Sequence, residues 1–250
     1  MLLHKIVIDR KSVVSDIVKE DHHTVDVFRK YGIEYCCAGR FPLEDVCADK
    51  GIPFEQIKKE LEDACRVVQL PHTMDYHSWN VDFLTNYIVN VHHGYLRRTL
   101  PNTQEILGKF ASGHEKKFPY IREVTGLYDK LHASILPHIH YEEEVVFPYI
   151  RQVVHAWENK DSYARLLVKT LRKPLDKLMS HEEENLANLV VEIRAAANDY
   201  QTPANSCTSH NVALQRLKEL DNDLMQHIYL ENQVLFPKAI DIEQQLLQSA

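Results

Sequence analysis

The sequence predicts an all-α protein in which a small helical domain precedes an antiparallel four-helix bundle. Only 7 of the 250 residues are glycine, which disfavours folds rich in tight turns. Long segments repeat apolar residues at intervals of three and four, the period of an amphipathic helix. Hydrophobic residues make up 44% of the chain and charged residues 26%, so there is ample apolar area for a core.

The N-terminal domain is predicted over residues 1–70. Apolar residues between Ser12 and Tyr31 recur at helical spacing, and Gly32 follows where a C-terminal cap belongs. A loop comes next, and two short helices are expected to begin near Pro42 and Pro53. The apolar period then lapses, which predicts a linker over residues 71–78.

The bundle is predicted over residues 79–250. Four long amphipathic patterns fill it, at residues 79–100, 119–147, 163–198 and 208–236. Pro137 and Pro174 lie inside two of these patterns. We expect each proline either to kink its helix or to mark a helix boundary.

An internal repeat organises the bundle. The pattern H-I-x-x-E-x-x-V-x-F-P occurs at His138 and again at His227, 89 residues later. One helix upstream of each copy, His93 and His181 are 88 residues apart. The bundle is therefore predicted to contain two copies of one helix hairpin, related by a pseudo-twofold axis.

The repeated residues are predicted to bind metal. In each copy the His and the Glu four residues later, Glu142 or Glu231, lie one turn apart on the apolar face of the helix. A lone carboxylate buried there would cost several kcal/mol, so the pattern favours a cation. His181 shares the inward face of the third helix, whereas on the first helix both His92 and His93 fit.

Four imidazoles and two carboxylates are too many for one tetrahedral zinc ion and too poor in oxygen for calcium or magnesium. Two transition-metal ions bridged by Glu142 and Glu231 would use all six ligands. Iron suits such a bundle site best, with manganese second.

Charge and patterning disfavour several classes of partner. The net charge is −7 and there is no Lys/Arg run, which argues against binding to nucleic acid. No segment has the length of a membrane span, and Met1 to Lys11 lacks the apolar core of a signal peptide, so we expect a cytoplasmic protein. Five cysteines in such a protein favour free thiols.

The chain resembles the hemerythrin-like di-iron proteins of the iron–sulfur cluster repair group, the RIC or ScdA type. The segment F-R-K-Y-G-I-E-Y-C-C-A-G-R, residues 28–40, is similar to that family's signature, and both H-x-x-x-E-x-x-x-x-F-P motifs match it. The resemblance covers nearly the whole chain and implies a hemerythrin-like bundle. It also selects His93 over His92, because the family's ligand lies seven residues before a Leu-Pro pair, here Leu100-Pro101. The implied ligands are His93, His138, Glu142, His181, His227 and Glu231.

The resemblance implies a function in repairing iron–sulfur clusters after nitrosative or oxidative stress. Iron donation and removal of nitric oxide are both compatible with a non-haem di-iron centre, so the enzymatic activity stays open. The implied partners are damaged iron–sulfur proteins and small diatomic ligands such as nitric oxide or oxygen. The alternative is a hemerythrin-like oxygen or redox sensor or an oxygen-binding protein, and a metal-free structural bundle is the third interpretation. The sequence leaves open assembly as a homodimer.

Cys36 and Cys37 form a second candidate site. Adjacent cysteines close only a strained ring if they pair with each other, so we expect both thiols to be reduced. Nearby Arg40 favours the thiolate. Our hypothesis is that this pair, on a domain hinged near residues 70–74, transfers iron, electrons or nitric oxide to or from the bundle.

Overall fold

The computed structural model describes residues 6–36, 39–65, 74–170, 175–203 and 206–248, with the side chains of residues 170 and 176–183 left out. In this part of the chain the regular secondary structure is entirely helical, apart from one isolated bridge between Val13 and Pro42. The predicted all-α class is confirmed. None of the helices described is long and apolar enough to cross a membrane.

The N-terminal region has four helices in its described residues: α1 (Val14–Glu20), α2 (Thr24–Lys30), α3 (Leu43–Lys50) and α4 (Phe54–Ala64). The single helix predicted from Ser12 to Tyr31 is therefore wrong. It is interrupted at Asp21, whose backbone is extended and whose carboxylate accepts a hydrogen bond from the His23 backbone N–H at 2.9 Å. A short acidic side chain of this kind competes with helical hydrogen bonds and favours a turn.

Three predicted helix boundaries of this region are confirmed. Gly32 has a φ of 62° after the end of α2, and the Ile33 N–H bonds back to the Phe28 carbonyl at 2.8 Å, as in a glycine C-cap. The helices α3 and α4 begin directly after Pro42 and Pro53. The predicted linker lies partly outside the described residues, and Tyr76–Ser78 forms a 3₁₀ turn at its end.

The bundle is built from long helices, three of which contain a π-helical segment. Its elements are α5 (Val81–Tyr87), a π segment (Ile88–His93), α6 (Gly94–His114), α7 (Tyr120–Tyr141), a π segment (Glu142–Val146), α8 (Phe147–Glu158), α9 (Ala164–Thr170), α10 (Leu175–Ala196), α11 (Thr208–Leu230), a π segment (Glu231–Leu235) and α12 (Phe236–Gln248). In cross-section α6 packs against α7 and α11, and α10 packs against the same two helices. This closed ring of neighbours is the predicted four-helix bundle.

Proline does not end these helices. Pro137 lies inside α7, which continues to Tyr141, and Pro101 lies inside α6. The first bundle helix was predicted to stop at residue 100 but runs to His114, because Ile106, Leu107 and Phe110 are buried in the core beyond the proline. Pro174 lies outside the described residues, and α10 begins immediately after it.

The N-terminal domain packs directly against the bundle. Helix α1 contacts α11, and the apolar residues of the domain belong to the same continuous core as one end of the bundle. Around this contact the Arg216 guanidinium donates to the Asp26 carboxylate at 2.6 Å, and Arg29 pairs with Glu105. Arg216 is only 5% exposed, so the first pair is partly desolvated.

A layer of polar residues divides the core of the bundle. One apolar cluster includes Leu96, Ile139, Leu224 and Ile228, and the second includes Ile88, Val146 and Leu230. The His and Glu residues of the repeat lie where the two clusters meet. Both apolar clusters exclude water from this layer, which makes an unpaired charge there costly.

Candidate metal centre

Three π-helical segments lie at the residues that form the centre. His93 ends the first segment, whereas Glu142 and Glu231 begin the second and third. In both copies of the repeat the π segment directly precedes a Phe-Pro pair. Proline has no N–H to offer the carbonyl four residues earlier, so the regular α-helical pattern cannot continue there. Single π turns of this kind occur frequently at functional sites.

Four of the predicted ligands form one buried cluster. A ligand atom from each of His93, Glu142, His227 and Glu231 lies within 4.8 Å of the others. All four side chains are completely shielded from solvent. His138 adjoins this cluster with a side chain that is 3% exposed.

Glu142 lies at the centre of the cluster. Its Oε1 atom is 3.0 Å from His138 Nε2. Its Oε2 atom is 3.4 Å from His93 Nε2 and 3.9 Å from His227 Nε2. One carboxylate thus faces three imidazoles from three bundle helices, which places Glu142 to bind metal together with them.

Glu231 completes the cluster from the same helix as His227. Its Oε1 atom lies 2.9 Å from His227 Nε2, one helical turn away. The Nε2 atoms of His227 and His93 are 3.1 Å apart. Imidazole nitrogens and carboxylate oxygens therefore converge on one small volume, as metal ligands do.

The electrostatics of the cluster require a cation if both carboxylates are to be ionised. Burial raises the pKa of Glu231 well above its ordinary value, and the nearby charge of Glu142 raises it further. Burial also acts to raise the pKa of Glu142, but the adjacent His138 and His93 outweigh it and hold that pKa at about 2. Burial lowers the pKa of His227, which keeps its imidazole neutral and able to bind metal.

The carboxylate oxygens are also poorly satisfied. All four oxygens of Glu142 and Glu231 are inaccessible to solvent. Imidazole nitrogens lie 3.0 and 2.9 Å from two of them, but within the described part of the chain none of these contacts has good hydrogen-bond geometry. Native proteins rarely leave buried carboxylates in this state. The residues present therefore fit metal ions, which supply the missing positive charge at these oxygens.

The Nδ1 atom of His93 is hydrogen-bonded to Glu143, a residue that is not part of the His-x-x-x-Glu motif. His93 Nδ1 lies 2.7 Å from Glu143 Oε1, and Arg97 donates to the other oxygen of Glu143 at 2.8 Å. Donation from Nδ1 leaves Nε2 of His93 free to face the cluster, as is usual for a metal-binding histidine. Only its position next to Glu142 in the sequence hints at this function.

His92 lies beside the cluster and points elsewhere. Its Nδ1 atom is 3.0 Å from Asp223 Oδ1, and its ring stacks on His227 with the centroids 5.9 Å apart. The structure thus brings His93, and not His92, into the group of four. Asp223 precedes His227 by one helical turn, a spacing that would have marked it as a neighbour of the centre.

The remaining predicted ligand is His181. It lies on α10, which packs against α7 and α11, but its side chain is outside the described residues.

A groove lies beside His138. Its volume is about 490 Å³, and it is lined by Ser134, Pro137, His138, Tyr141, Asn185, Leu186 and Leu189. His138 therefore lies between the buried cluster and this groove.

The predicted thiol site lies at the other end of the bundle. Cys36 is half-buried in a groove of about 720 Å³ between α2 and α6, and Cys37 is outside the described residues. Cys207 lies next to it at the start of α11, with its Sγ atom 3.5 Å from His114 Nε2. Burial raises the pKa of Cys207, and the proximity of Cys36 raises it further.

The similarity to known proteins extends over both parts of the chain. Residues 10–65 match the model for the ScdA N-terminal domain, which is described as a domain of unknown function. The chain is 27% identical over 232 residues to the iron-sulfur cluster repair protein ScdA of Staphylococcus epidermidis, covering 92% of this chain and 99% of that protein. It is 28% identical over 214 residues to the iron-sulfur cluster repair protein YtfE of Escherichia coli, covering 86% and 90% respectively.

The predicted resemblance is thereby confirmed. Residues 85–239, more than half of the chain, match the model described as the hemerythrin HHE cation binding domain. The matched region contains the repeated His-x-x-x-Glu motifs and all three π segments. With its buried cluster of histidines and glutamates in a four-helix bundle, the chain belongs to the hemerythrin HHE cation-binding family.

Proposed function

We propose that the bundle holds two iron ions, bound by His93, His138, Glu142, His181, His227 and Glu231. Glu142 and Glu231 are the bridging carboxylates. Imidazole nitrogen with carboxylate oxygen is a ligand set of intermediate hardness, which suits iron and, less well, manganese. Four buried carboxylate oxygens that lack good hydrogen-bond geometry to the neighbouring imidazole nitrogens are the observation that supports this assignment most strongly.

The proposed function is repair of iron–sulfur clusters damaged by nitrosative or oxidative stress. Its support is that the relatives named as iron-sulfur cluster repair proteins match this chain almost from end to end, through both the N-terminal region and the bundle. The clients would be proteins that carry damaged clusters. The small ligands would be nitric oxide or oxygen.

A pair of bridged irons supplies the capacity to bind a diatomic molecule and to change oxidation state. The protein's own residues supply the environment. Glu143 orients His93, and the two apolar clusters exclude water around the ligand layer. The groove beside His138 gives a small molecule or a departing iron ion a route to the centre. These features serve iron donation and removal of nitric oxide equally well.

The test of this proposal is metal analysis of protein purified without oxygen, followed by a repair assay. We expect two irons per chain, a new absorption band when nitric oxide is added, and recovery of activity by a nitric-oxide-damaged iron–sulfur enzyme. A protein that binds two irons but restores no activity would contradict the repair function. A protein that binds no iron would contradict the di-iron centre.

The bridging carboxylates provide the matching variants. Glu142→Ala and Glu231→Ala should each lower the iron content, because adjacent cations lose the anion that they share. We expect the larger loss in Glu142→Ala, since Glu142 faces three imidazoles. Circular dichroism would check that both variants stay helical. Full iron occupancy in both variants would rule out the assignment.

A further inference from the structure

A second group of metal-ligand residues lies where the N-terminal domain meets the bundle. Asp21, His22 and His23 form the turn between α1 and α2, and their ligand atoms lie within 4.8 Å of one another. Glu219 of α11 faces this turn from the bundle. The four side chains thus come from both parts of the chain.

Two imidazoles converge on one carboxylate. His22 Nε2 lies 3.0 Å from Glu219 Oε2, and His23 Nε2 lies 2.6 Å from Glu219 Oε1. The two rings are neighbours, with centroids 4.4 Å apart. Each oxygen of Glu219 therefore faces one imidazole nitrogen of the turn.

Asp21 contacts the Nδ1 atom of His23, on the side of the ring away from Glu219. Its Oδ1 atom lies 2.6 Å from His23 Nδ1 and also accepts the His23 backbone N–H. A carboxylate on the far nitrogen of a histidine fixes the tautomer in which Nε2 carries the lone pair for a metal ion.

His22 and Glu219 each have a buried polar atom that lacks good hydrogen-bond geometry. His22 Nε2 and Glu219 Oε2 are both sealed from solvent, and neither is in hydrogen-bonding geometry with any group that the structure describes, although they lie 3.0 Å apart. The oxygens of Glu142 and Glu231 show the same combination of burial and missing partners.

The local charge suits a divalent cation. Arg216 contributes one positive charge, 3.8 Å from Glu219 and 2.6 Å from Asp26. Hydrogen bonds to Asp21 and Glu219 raise the pKa of His23 to about 9, so in the absence of metal its imidazole carries a proton between these two carboxylates. A divalent metal ion would replace that proton as the positive charge beside Glu219.

We propose that His22, His23 and Glu219 form a mononuclear site for a divalent first-row transition-metal ion, with Asp21 orienting His23. Two imidazoles and one carboxylate leave the remaining coordination positions to water. The site is separate from the bundle centre, since Glu219 precedes His227 by two helical turns, about 12 Å along α11. Its occupation would fasten the N-terminal domain to the bundle.

Zinc binding to the full chain tests this site. Protein as purified, with its bundle metals in place, is dialysed against zinc chloride, and the metals are counted before and after. We expect one additional zinc per chain in the wild type and none in the His22→Ala, His23→Ala double variant. The comparison is a difference between variants, so it does not depend on which metal the bundle holds.

Two further variants complete the experiment. Glu219→Gln keeps the size of the side chain but removes the charge, and we expect it to weaken zinc binding at least about tenfold. His155→Ala is the control, because His155 also pairs with a carboxylate, Asp82 at 2.7 Å, but belongs to no group of three ligands. It should bind the additional zinc as the wild type does.

Thermal unfolding gives an independent measurement. Zinc should raise the Tm of the wild type and of His155→Ala, but not that of the double variant. Equal zinc content in the wild type and the double variant would overturn the proposal. So would substitutions that change the Tm without changing zinc binding, because this result would mean that the four residues form only a network of ion pairs.

Discussion

Glu142 is the residue on which the bundle centre depends most, since its two oxygens face imidazoles from three helices. Without metal ions it is a buried anion beside Glu231, whose pKa is raised by burial and by that same charge. The two glutamates therefore resist simultaneous ionisation until cations arrive. Metal binding is thus coupled to loss of a proton from this pair.

The neighbours His92 and His93 give a prediction at the same scale. Since His93 Nε2 lies inside the cluster and His92 pairs with Asp223, His93→Ala should lower the metal content strongly. His92→Ala is the matched control and should retain most of the metal. Metal analysis of both variants distinguishes the two imidazoles. The opposite order would show that His92 is the ligand.

Glu143 gives a second prediction. Glu143→Gln weakens the hydrogen bond that orients His93, without removing a ligand. Changes to such an outer partner typically lower metal affinity about 10- to 100-fold. Competition with a chelator measures this change. Glu144→Gln, an exposed neighbour, is the control, and equal affinities in the two variants would exclude a role for Glu143 in positioning His93.

The ligand motifs were predictable from the sequence because each His-Glu pair repeats at one-turn spacing on an apolar stripe. Glu143 was not predictable in this way. It contacts a histidine 50 residues away, and only the packing of two helices brings them together. Cys207 illustrates the same limit, since its contact with Cys36 depends on how the N-terminal domain docks.

At the scale of the elements, the sequence predicted the helices better than their ends. Proline was expected to stop or kink helices, yet α6 continues past Pro101 because burial of the following apolar residues compensates for the lost hydrogen bond. At Asp21, by contrast, the observed helix is shorter than the predicted one, because local side-chain hydrogen bonds divide it into α1 and α2. The π segments were not predicted, since their apolar pattern is hard to distinguish from that of an α-helix.

The π segments lead to a prediction about Pro237. Pro237→Ala restores an N–H that can bond to the Gln233 carbonyl, which favours regular α-helix and shifts Glu231 relative to α12. We expect the metal-free variant to be more thermally stable and metal affinity to fall roughly tenfold. Thermal unfolding and chelator competition measure the two effects.

Pro101→Ala is the control for this change. Pro101 lies inside α6, away from the π segments, so replacing it relieves a helical proline without moving a ligand. Its metal affinity should match that of the wild type. If Pro237→Ala also keeps the metal affinity of the wild type, Pro237 does not maintain the ligand geometry.

At the scale of the whole molecule, the structure separates the two candidate sites. Cys207, which contacts Cys36, precedes His227 by 20 residues on α11, or about 30 Å along the helix axis. In the docked arrangement the thiols are therefore at the opposite end of the bundle from the metal ligands. Transfer between them requires either movement of the N-terminal domain or successive action on the same client.

This separation sharpens the prediction for the adjacent cysteines. A Cys36→Ala, Cys37→Ala double variant should keep the metal content of the wild type, because Cys36 lies at the opposite end of the bundle from the metal ligands. We expect it to lose repair of a damaged iron–sulfur enzyme, since the pair would no longer capture iron or exchange with a client thiol. Metal analysis and the repair assay on the same preparation measure both properties.

Cys207→Ala, which removes the neighbouring thiol but leaves the pair intact, is the control and should retain repair. Undiminished repair by a folded double variant would remove the pair from the mechanism, whereas loss of metal in that variant would mean that the two ends of the bundle are structurally coupled.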